Sequence, residues 1–158
     1  MTPMRPLATW PAESRAAVTG LFTDIDDTLT VDGRIGAEAF SAMERLREAG
    51  LRVVPVTGRP AGWCDMIART WPVDGVVGEN GALAFRYDDA ARTMRRLYAD
   101  APEARDANMR RLMAVRDEVL AQVPGAGVSA DQQYRETDLA MDFAEDVERL
   151  DDAANPAL

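Results

Sequence analysis

The sequence predicts an α/β fold built on a Rossmann-like parallel sheet, and three observations lead to this fold class. Short apolar runs alternate with stretches of helical periodicity between residues 18 and 77, in the order strand, helix, strand, helix, strand. That order favours parallel pairing, because each helix returns the chain to the same end of the sheet. Polar residues follow each apolar run, as they do where ligands bind at the carboxyl ends of parallel strands. Hydrophobic residues make up 47% and charged residues 28% of the chain, which is typical of a folded globular protein.

The predicted elements of the sheet follow from glycine and proline punctuation and from the spacing of apolar residues. Pro55 lies inside the second predicted strand and lacks the N–H that a ladder needs, so we expect an edge strand or an irregular strand end there. The five elements are a buried strand at Val18–Thr23, a helix at Ala37–Ala49, a strand at Leu51–Val56, a helix at Pro60–Thr70 and a strand at Gly75–Val77.

The order of the predicted elements changes after Gly81, from alternating strands and helices to a hairpin followed by a long helix, and we place a domain boundary there. Residues 1–15 form a loose, proline-containing arm, residues 16–81 the N-terminal half of a core domain, and residues 82–158 part of a second domain. The elements predicted for this last segment are hairpin strands at Ala82–Tyr87 and Thr93–Tyr98, a helix at Ala104–Val123, a strand at Leu139–Phe143 and a helical pattern from Val147 onward.

Composition excludes several classes of function. The net charge of −9 argues against nucleic acid and anionic membranes as partners, and no apolar run is long enough to span a membrane. A cytoplasmic location follows as the expectation. There is no histidine and no lysine, so all 18 basic residues are arginine, which removes Ser-His and Cys-His catalytic pairs. Cys64 is the only cysteine, so neither an internal disulfide nor a cysteine metal cage forms.

The candidate site lies at the predicted strand ends. Asp24 and Asp26 follow the first strand, Thr57 follows the second, and the pair Glu79-Asn80 follows the third. Parallel strands place these ends on one edge of the sheet, where ligands bind in such folds. For the D-x-D pattern alone, a turn built by Asp and Thr is an equal alternative.

Four stretches together resemble the haloacid-dehalogenase superfamily of hydrolases. "FTDIDDTLT" (residues 22–30) resembles its first signature, D-x-D-x-T, and "VVPVTGRP" (53–60) its second, an apolar strand ending in Ser or Thr. "VVGENGALAF" (76–85) and "YRETDLAMDF" (134–143) resemble the passage into the cap, and the cap itself, in the Cof-type branch (subclass IIB), which includes sugar-phosphate phosphatases of the sucrose- and mannosylphosphoglycerate-phosphatase types. The signatures occur in the family's order, and the resemblance spans about residues 18–146.

The resemblance implies a fold and a reaction. The fold is the first half of the superfamily's core with part of an α+β, C2-type cap. The reaction is hydrolysis of a phosphomonoester, a sugar phosphate or similar small metabolite, through an aspartyl-phosphate. Asp24 is implied as the nucleophile, Asp26 as the general acid and base, and Thr28 as a support for Asp26. Mg²⁺ is the implied cofactor, bound by the Asp24 side chain and the Asp26 carbonyl.

The same resemblance implies the groups that hold the substrate. The Thr57 hydroxyl and the Gly58 amide would bind phosphoryl oxygens, with help from the helix N-terminus near Pro60. Arg59 adds positive charge there or is a solvated residue at the start of the helix. Asn80 contacts the substrate or only forms a turn. In the cap, either contact with the sugar of the substrate or simple exposure on the surface is expected for Arg135, Glu136 and Asp138.

Two further signatures of the superfamily are missing from the chain. It has no lysine to neutralise the intermediate and no G-D-x-x-x-D after residue 81 to complete the metal site. We therefore expect a C-terminally truncated member, with little turnover as a 158-residue chain. The alternative is a non-catalytic remnant or phosphate-binding module, completed by a partner or by self-association. Without the strand that the superfamily places beside it, the first strand is expected to be an open edge suited to such self-association.

Overall fold

The computed structural model describes residues 6–149. Within them the strands are β1 (Gly20–Asp24), β2 (Thr30–Val31), β3 (Arg34–Ile35), β4 (Arg52–Val56), β5 (Val76–Gly78), β6 (Leu83–Asp88), β7 (Thr93–Tyr98), β8 (Gly127–Val128) and β9 (Met141–Asp142). The α-helices are α1 (Ala12–Ala16), α2 (Ala37–Glu48), α3 (Ala61–Thr70) and α4 (Pro102–Gln122). Single 3-10 turns occur at Leu7–Thr9, Glu79–Gly81 and Gln132–Tyr134.

Five strands form one mixed sheet in the order β1-β4-β5-β6-β7. β1, β4 and β5 are parallel and are connected through α2 and α3, as the alternation of strands and helices in the sequence predicts. The α/β fold class is therefore confirmed. β6 runs antiparallel to β5, and β7 antiparallel to β6, so the hairpin continues the same sheet. No break in the sheet coincides with the boundary predicted after residue 81, and the division into domains stays a prediction.

β1 lies at the edge of the sheet rather than in its interior. The strand begins at Gly20, two residues later than predicted, and among the described residues it pairs with β4 alone. Phe22 is 73% exposed and Leu21 38% exposed. No neighbour covers the outer side of β1 in the part of the chain that the structure describes. The expectation of a buried strand is therefore wrong, and the expectation that the first strand is an open edge is confirmed.

α2 and α3 pack against the sheet and enclose one core. α3 contacts β5 and β6, and α2 contacts β4. At Gly78 a Cβ atom would lie 2.3 Å from the Cys64 sulfur, so only glycine allows α3 to approach β5 this closely. The buried apolar residues are Ile25, Met43, Val53, Ala61, Cys64, Ile67, Ala68, Val73, Val76, Leu83 and Phe85.

Pro55 lies in β4, which has a neighbour on both sides, so the predicted edge position is wrong. The strand is irregular on its β5 side, which is the other outcome expected. There the Asp74 carboxylate accepts the N–H of Val53 at 2.9 Å, and the N–H of Thr57 donates to the Val77 carbonyl at 2.9 Å. Alternate residues of a strand present their N–H groups on the same side, so Pro55 falls between these two bonds.

In the second half of the chain, the strand predicted at Thr93–Tyr98 is confirmed as β7, and the other predicted elements are shortened or shifted. The long helix is α4, and none of its residues is buried. The strand predicted at Leu139–Phe143 is ordered as a strand only at β9, which pairs with β8. Residues 147–149 are not helical, and the rest of the helical pattern predicted from Val147 lies outside the described residues.

The N-terminal arm contains two helical turns that the sequence does not predict. Pro6 and Pro11 each precede one of them, since proline has a φ suited to a helix start and no N–H to leave unpaired. Residues 6–17 are exposed, and residues 1–5 lie outside the described part of the chain. Between residues 6 and 149, none of the helices combines the length and the apolar character needed to cross a bilayer.

Candidate active site

The parallel strands bring the predicted site residues to one edge of the sheet. Asp24 is the last residue of β1 and lies in register with Val56, the last residue of β4. Val56 is in turn in register with Val77 of β5. Thr57 and the Glu79–Gly81 turn therefore begin next to each other, one strand away from Asp24. Their closeness follows from parallel pairing alone.

Asp24 is exposed at this edge, and the chain then turns sharply through a loop. Ile25 is 4% exposed, and its carbonyl accepts the hydroxyl of Thr30 at 3.0 Å. The same hydroxyl accepts the N–H of Asp27 at 3.2 Å, and Asp27 has a positive φ of 55°. Thr30, which is 6% exposed, therefore fixes the loop. No feature of the sequence distinguishes Thr30 from Thr28 in this role.

The Asp26 carboxylate is held by two residues that follow β4. Arg59 Nη2 lies 2.9 Å from Oδ1, and Arg59 Nε lies 3.2 Å from both carboxylate oxygens. The Thr57 hydroxyl makes a longer contact of 3.5 Å with Oδ2. The support expected from Thr28 is thus provided by Arg59 and Thr57.

Arg59 is held against Asp26 and is not a solvated residue at the start of the helix. Its side chain is 26% exposed, and its guanidinium carbon lies 5.0 Å from the centre of the Trp63 ring. The hydrogen bond with Asp26 raises the pKa of Arg59, against the opposing effect of burial. This guanidinium is therefore a positive charge held beside Asp26.

Thr57, Gly58 and Asn80 form a tightly packed loop against the end of β5. Thr57 is 3% exposed, and its hydroxyl accepts the N–H of Arg59 at 3.1 Å. A Cβ atom on Gly58 would lie 3.0 Å from Asn80 Oδ1, so a larger residue there would displace the amide. The N–H of Asn80 donates to the Thr57 carbonyl at 3.2 Å. These residues shape the loop at which the sequence places a phosphate, which we call the phosphate loop (residues 57–60).

The N-terminus of α3 is already bound by a side chain. The N–H of Ala61, the first residue of the helix, donates to Glu79 Oε1 at 2.9 Å. The family resemblance implies that this helix N-terminus helps to bind phosphate. In the structure a carboxylate of the chain takes its first N–H, as the positive end of a helix dipole favours.

A segment far along the chain lies against the phosphate loop. Arg135 is only 8% exposed, and its guanidinium donates to the Gly58 carbonyl at 2.9 Å and to Asp138 at 3.3 Å. Asp138 also accepts the Asn80 amide at 3.1 Å. Arg135 and Asp138 are therefore not simple surface residues, although Glu136 binds Arg96 and Tyr98 on the neighbouring hairpin. Sequence reasoning could not find these contacts because 77 residues separate Gly58 from Arg135.

A cavity opens between Arg59 and the segment from residue 129 to 145. Its volume is about 260 Å³, which is enough for a small polar molecule beside the Asp26–Arg59 pair. The lining residues are Arg59, Ser129, Asp131, Arg135, Ala140, Met141, Asp142, Phe143, Ala144 and Glu145.

The donor set fits a magnesium ion bound together with a phosphate. Between residues 6 and 149, no group of three or more acidic, histidine or cysteine side chains is arranged to hold an ion. Mg²⁺, however, is commonly bound through one or two carboxylates, with waters and substrate phosphates as the other ligands. The Asp24 carboxylate and the Asp26 carbonyl are oxygen donors of this kind.

A family model described as haloacid dehalogenase-like hydrolase matches residues 21–107, which is more than half of the 158-residue chain. A phosphoglycolate phosphatase of Pyrobaculum aerophilum is 40% identical over 67 residues, covering 40% of this chain and 29% of that protein.

Two solved structures share the fold. The Thermoplasma acidophilum protein 0175 has a TM-score of 0.59 and 16% identity, over 79% of this chain and 51% of that one. A hypothetical protein of Geobacillus kaustophilus has a TM-score of 0.50 and 19% identity, over 78% of this chain and 43% of that one. The chain thus spans about half of each structure, and less of the phosphatase.

Proposed function

The chain belongs to the haloacid dehalogenase-like hydrolase family, and from this premise we propose that its site is that of a Mg²⁺-dependent phosphatase. The resemblance of its motifs to this family is confirmed, and membership of the Cof-type branch is part of the proposal. The proposed substrate is a sugar phosphate or a similar small phosphorylated metabolite. One observation carries the proposal: Asp24 and Asp26 lie at the end of β1 beside the loop of Thr57 and Arg59, and Arg59 binds Asp26 directly.

Asp24 is the proposed nucleophile. Its carboxylate oxygen attacks phosphorus, the bond from phosphorus to the ester oxygen breaks, and an aspartyl-phosphate forms. Asp26 gives its proton to the departing alkoxide and then takes a proton from the water that attacks the aspartyl-phosphate. Both steps therefore balance without a further reactant. Mg²⁺, when bound, offsets the negative charge that gathers between Asp24, Asp26 and the phosphoryl group.

Asp26 is engaged by Arg59, and this contact bears on the first step. A carboxylate that accepts a forked pair of N–H bonds must be released before it can carry a proton to an alcohol. A phosphoryl group offers Arg59 an alternative acceptor with the same geometry. We propose that the guanidinium moves from Asp26 to the phosphoryl oxygens when substrate binds.

Thr57, Gly58 and Asn80 complete the proposed binding loop. The Gly58 amide and the Thr57 hydroxyl are the proposed donors to the phosphoryl oxygens, and Asn80 is the proposed contact to the rest of the substrate. Support comes from the packing of Asn80 against Gly58, which leaves no room for a side chain between them. The relative from Pyrobaculum aerophilum is a phosphoglycolate phosphatase, which adds a phosphorylated small acid to the substrates worth testing. The cytoplasmic location stays a prediction.

Turnover by the 158-residue chain is proposed to be low. The chain contains no lysine, and the cation that binds Asp26 is Arg59. A second candidate function, a phosphate-binding module completed by another chain, is favoured by the exposed edge of β1. Phe22 on that edge is 73% exposed, and such an edge offers both unpaired backbone groups and apolar surface.

The test of the phosphatase proposal measures Mg²⁺-dependent phosphate release from a panel of sugar phosphates and from phosphoglycolate. We expect a slow release that Asp24→Asn abolishes and that Asp27→Asn leaves unchanged, because Asp27 is exposed and tolerates the same substitution at its positive φ. Rapid release by the wild-type chain would contradict the proposed impairment. Release that survives Asp24→Asn would contradict the nucleophile.

Binding without turnover distinguishes the second candidate. Inorganic phosphate with Mg²⁺ is expected to raise the melting temperature of the wild-type chain, since a ligand that binds only the folded state stabilises it. The apparent mass by light scattering is expected to rise with concentration, and Phe22→Glu to suppress that rise. No shift at millimolar phosphate would count against any working site, and a constant mass would count against self-association.

A further inference from the structure

Glu79 carries a buried carboxylate whose partners come from two distant parts of the chain. The residue is 2% exposed. Oε1 accepts the N–H of Ala61 at 2.9 Å and the N–H of Glu136 at 2.9 Å. Oε2 accepts the N–H of Thr137 at 2.7 Å and the Thr137 hydroxyl at 2.5 Å. All four donors thus converge on one carboxylate, which is how a buried charge is stabilised without a counter-ion.

The backbone around Glu79 adopts a conformation that only strong contacts maintain. Glu79 and Asn80 have φ values of 48° and 57°, and Gly81 follows with 100°. Consecutive left-handed residues other than glycine are costly, and they persist where the surroundings hold them. The N–H of Glu79 donates to the Arg59 carbonyl at 3.1 Å. The turn is therefore bound to the phosphate loop through its backbone and to the start of α3 through the Glu79 side chain.

The segment that Glu79 binds is the one that contacts the phosphate loop. Residues 135–138, here called the covering segment, supply the contacts of Arg135 to Gly58 and of Asp138 to Asn80. Just before it, Tyr134 lies against α3 so closely that a Cβ atom on Gly62 would be 3.0 Å from the Tyr134 Cβ. Glu79 therefore joins three parts of the site: its carboxylate binds the start of α3 and the covering segment, and its backbone N–H binds the phosphate loop.

We propose that Glu79 is a positioning residue that couples the covering segment to the phosphate loop. Its carboxylate fixes the first N–H of α3 and the backbone of residues 136 and 137 at the same time, so neither part moves without the other. The coupling rests on the proposed function in one respect: the loop that it holds is the one proposed to bind phosphate. Filling that loop then tightens the covering segment, and the covering segment in turn stabilises the filled loop, because such coupling is reciprocal.

Glu79→Gln tests the coupling with little change of shape. Gln presents a donor where one carboxylate oxygen was an acceptor, so two of the four bonds are lost whichever way the amide turns. Hydrogen exchange in the absence of ligand is expected to become faster by about tenfold or more in both the 59–62 and the 135–138 regions, the effect of losing bonds to a charged acceptor. Unchanged exchange in either region would overturn the proposal.

Two further variants separate coupling from a general loss of stability. Glu136→Gln makes the same substitution within the covering segment, but its carboxylate binds Arg96 and Tyr98, so exchange at 59–62 should stay at the wild-type rate. Ile67→Val shortens a buried residue of α3 and should lower the melting temperature without a selective effect on 135–138. Should Glu79→Gln fail to fold, Thr137→Val removes only the hydroxyl donor and should speed exchange at 135–138 more than at Ala61.

Phosphate with Mg²⁺ provides the readout that a purely structural residue would not move. In the wild-type chain, phosphate is expected to slow exchange at residues 135–138, and Glu79→Gln is expected to abolish that slowing. If phosphate does not bind the wild-type chain, the proposed function fails while the ligand-free exchange still decides the role of Glu79. If phosphate protects the covering segment equally in both chains, the coupling does not pass through Glu79.

Discussion

Arg59 and Asp26 form a forked ion pair between the ends of β4 and β1, with the Arg59 Nη2 atom 2.9 Å from Asp26 Oδ1. The pair joins two motifs to which the family resemblance assigns different roles. Asp26 belongs to the motif of the proposed acid and base, and Arg59 belongs to the phosphate loop. In the proposed site, Asp26 and the phosphoryl group therefore compete for the Arg59 guanidinium. If phosphate binds as proposed, its affinity depends on Arg59, which is bound to Asp26 before the ligand arrives.

Arg59→Ala is expected to lower the affinity for phosphate in the presence of Mg²⁺ by about tenfold or more, the factor that one lost charged hydrogen bond gives. Isothermal titration calorimetry with inorganic phosphate measures it. Arg69→Ala is the matched control, because Arg69 lies near the end of α3 and its ion pair is with Asp65 of the same helix, away from the phosphate loop. Equal affinities for the two variants would show that Arg59 does not bind phosphate.

Asp74→Ala should lower the free energy of unfolding by about 1–3 kcal/mol, because the N–H of the fully buried Val53 loses its acceptor. Asp74→Asn should cost less, since the amide oxygen still accepts. Urea denaturation measures both. Asp65→Ala removes a carboxylate from a solvent-exposed pair and should cost about 0–1 kcal/mol. A loss for Asp74→Ala no larger than that would mean that the strand does not need this acceptor.

Gly78→Ala should destabilise the protein by about 1–3 kcal/mol, because the new methyl group meets the Cys64 sulfur and must push α3 from the sheet. Cys64→Ala removes that sulfur, so the double variant should be less unstable than the sum of the two single changes. A double-mutant cycle in urea checks the difference. Strict additivity would place the strain elsewhere, for example at Leu83, whose side chain lies 3.0 Å from the same position.

Asp142 stabilises the turn after β9 in a manner that depends on pH. The backbone N–H groups of Glu145, Ala144 and Asp146 lower the pKa of its carboxyl below the ordinary value of 3.8. A group whose pKa is lowered by folding stabilises the fold above its ordinary pKa, and the effect is lost as the pH falls through the lowered value. The amide resonances of residues 144–146 should therefore keep their protection from neutral pH down to about pH 4 and lose it below.

The comparison variant for that titration is Asp142→Asn. Its amide is a weaker acceptor and carries no charge, so protection of the same three amides should be lower at neutral pH and nearly constant as the pH falls. Equal protection of these amides in the wild-type and Asp142→Asn chains at neutral pH would contradict the role of the carboxylate.

The strand ends could be predicted because their signal is local. An apolar run, a polar residue directly after it and a helical pattern beyond are enough to place Asp24 and Thr57 on one edge of a parallel sheet. Local reasoning alone erred at β1, whose apolar residues indicate burial, and the open edge was expected only from the family resemblance. Whether Phe22 is covered depends on a neighbouring strand, and no property of the run itself encodes one.

The residues that the sequence did not reveal act through distant partners. Glu79 stands in front of Asn-Gly and looks like part of a turn, yet its carboxylate binds residues 18, 57 and 58 positions away. Asp74 likewise looks like a loop residue and replaces a strand bond for Val53. The feature of the sequence that could have indicated this role of Glu79 is an acidic residue between a buried strand and a turn. Its meaning depends on which backbone N–H groups the fold leaves unpaired nearby.

The contact between Cys64 and Gly78 gives the chain a natural chemical reporter. Cys64 is its only thiol, it is fully buried, and burial raises its pKa to about 12, so alkylating reagents meet neither an accessible nor an ionised sulfur in the folded state. The thiol becomes reactive when α3 separates from β5. The rate of alkylation at neutral pH is therefore expected to report how often α3, which begins next to the phosphate loop, separates from β5.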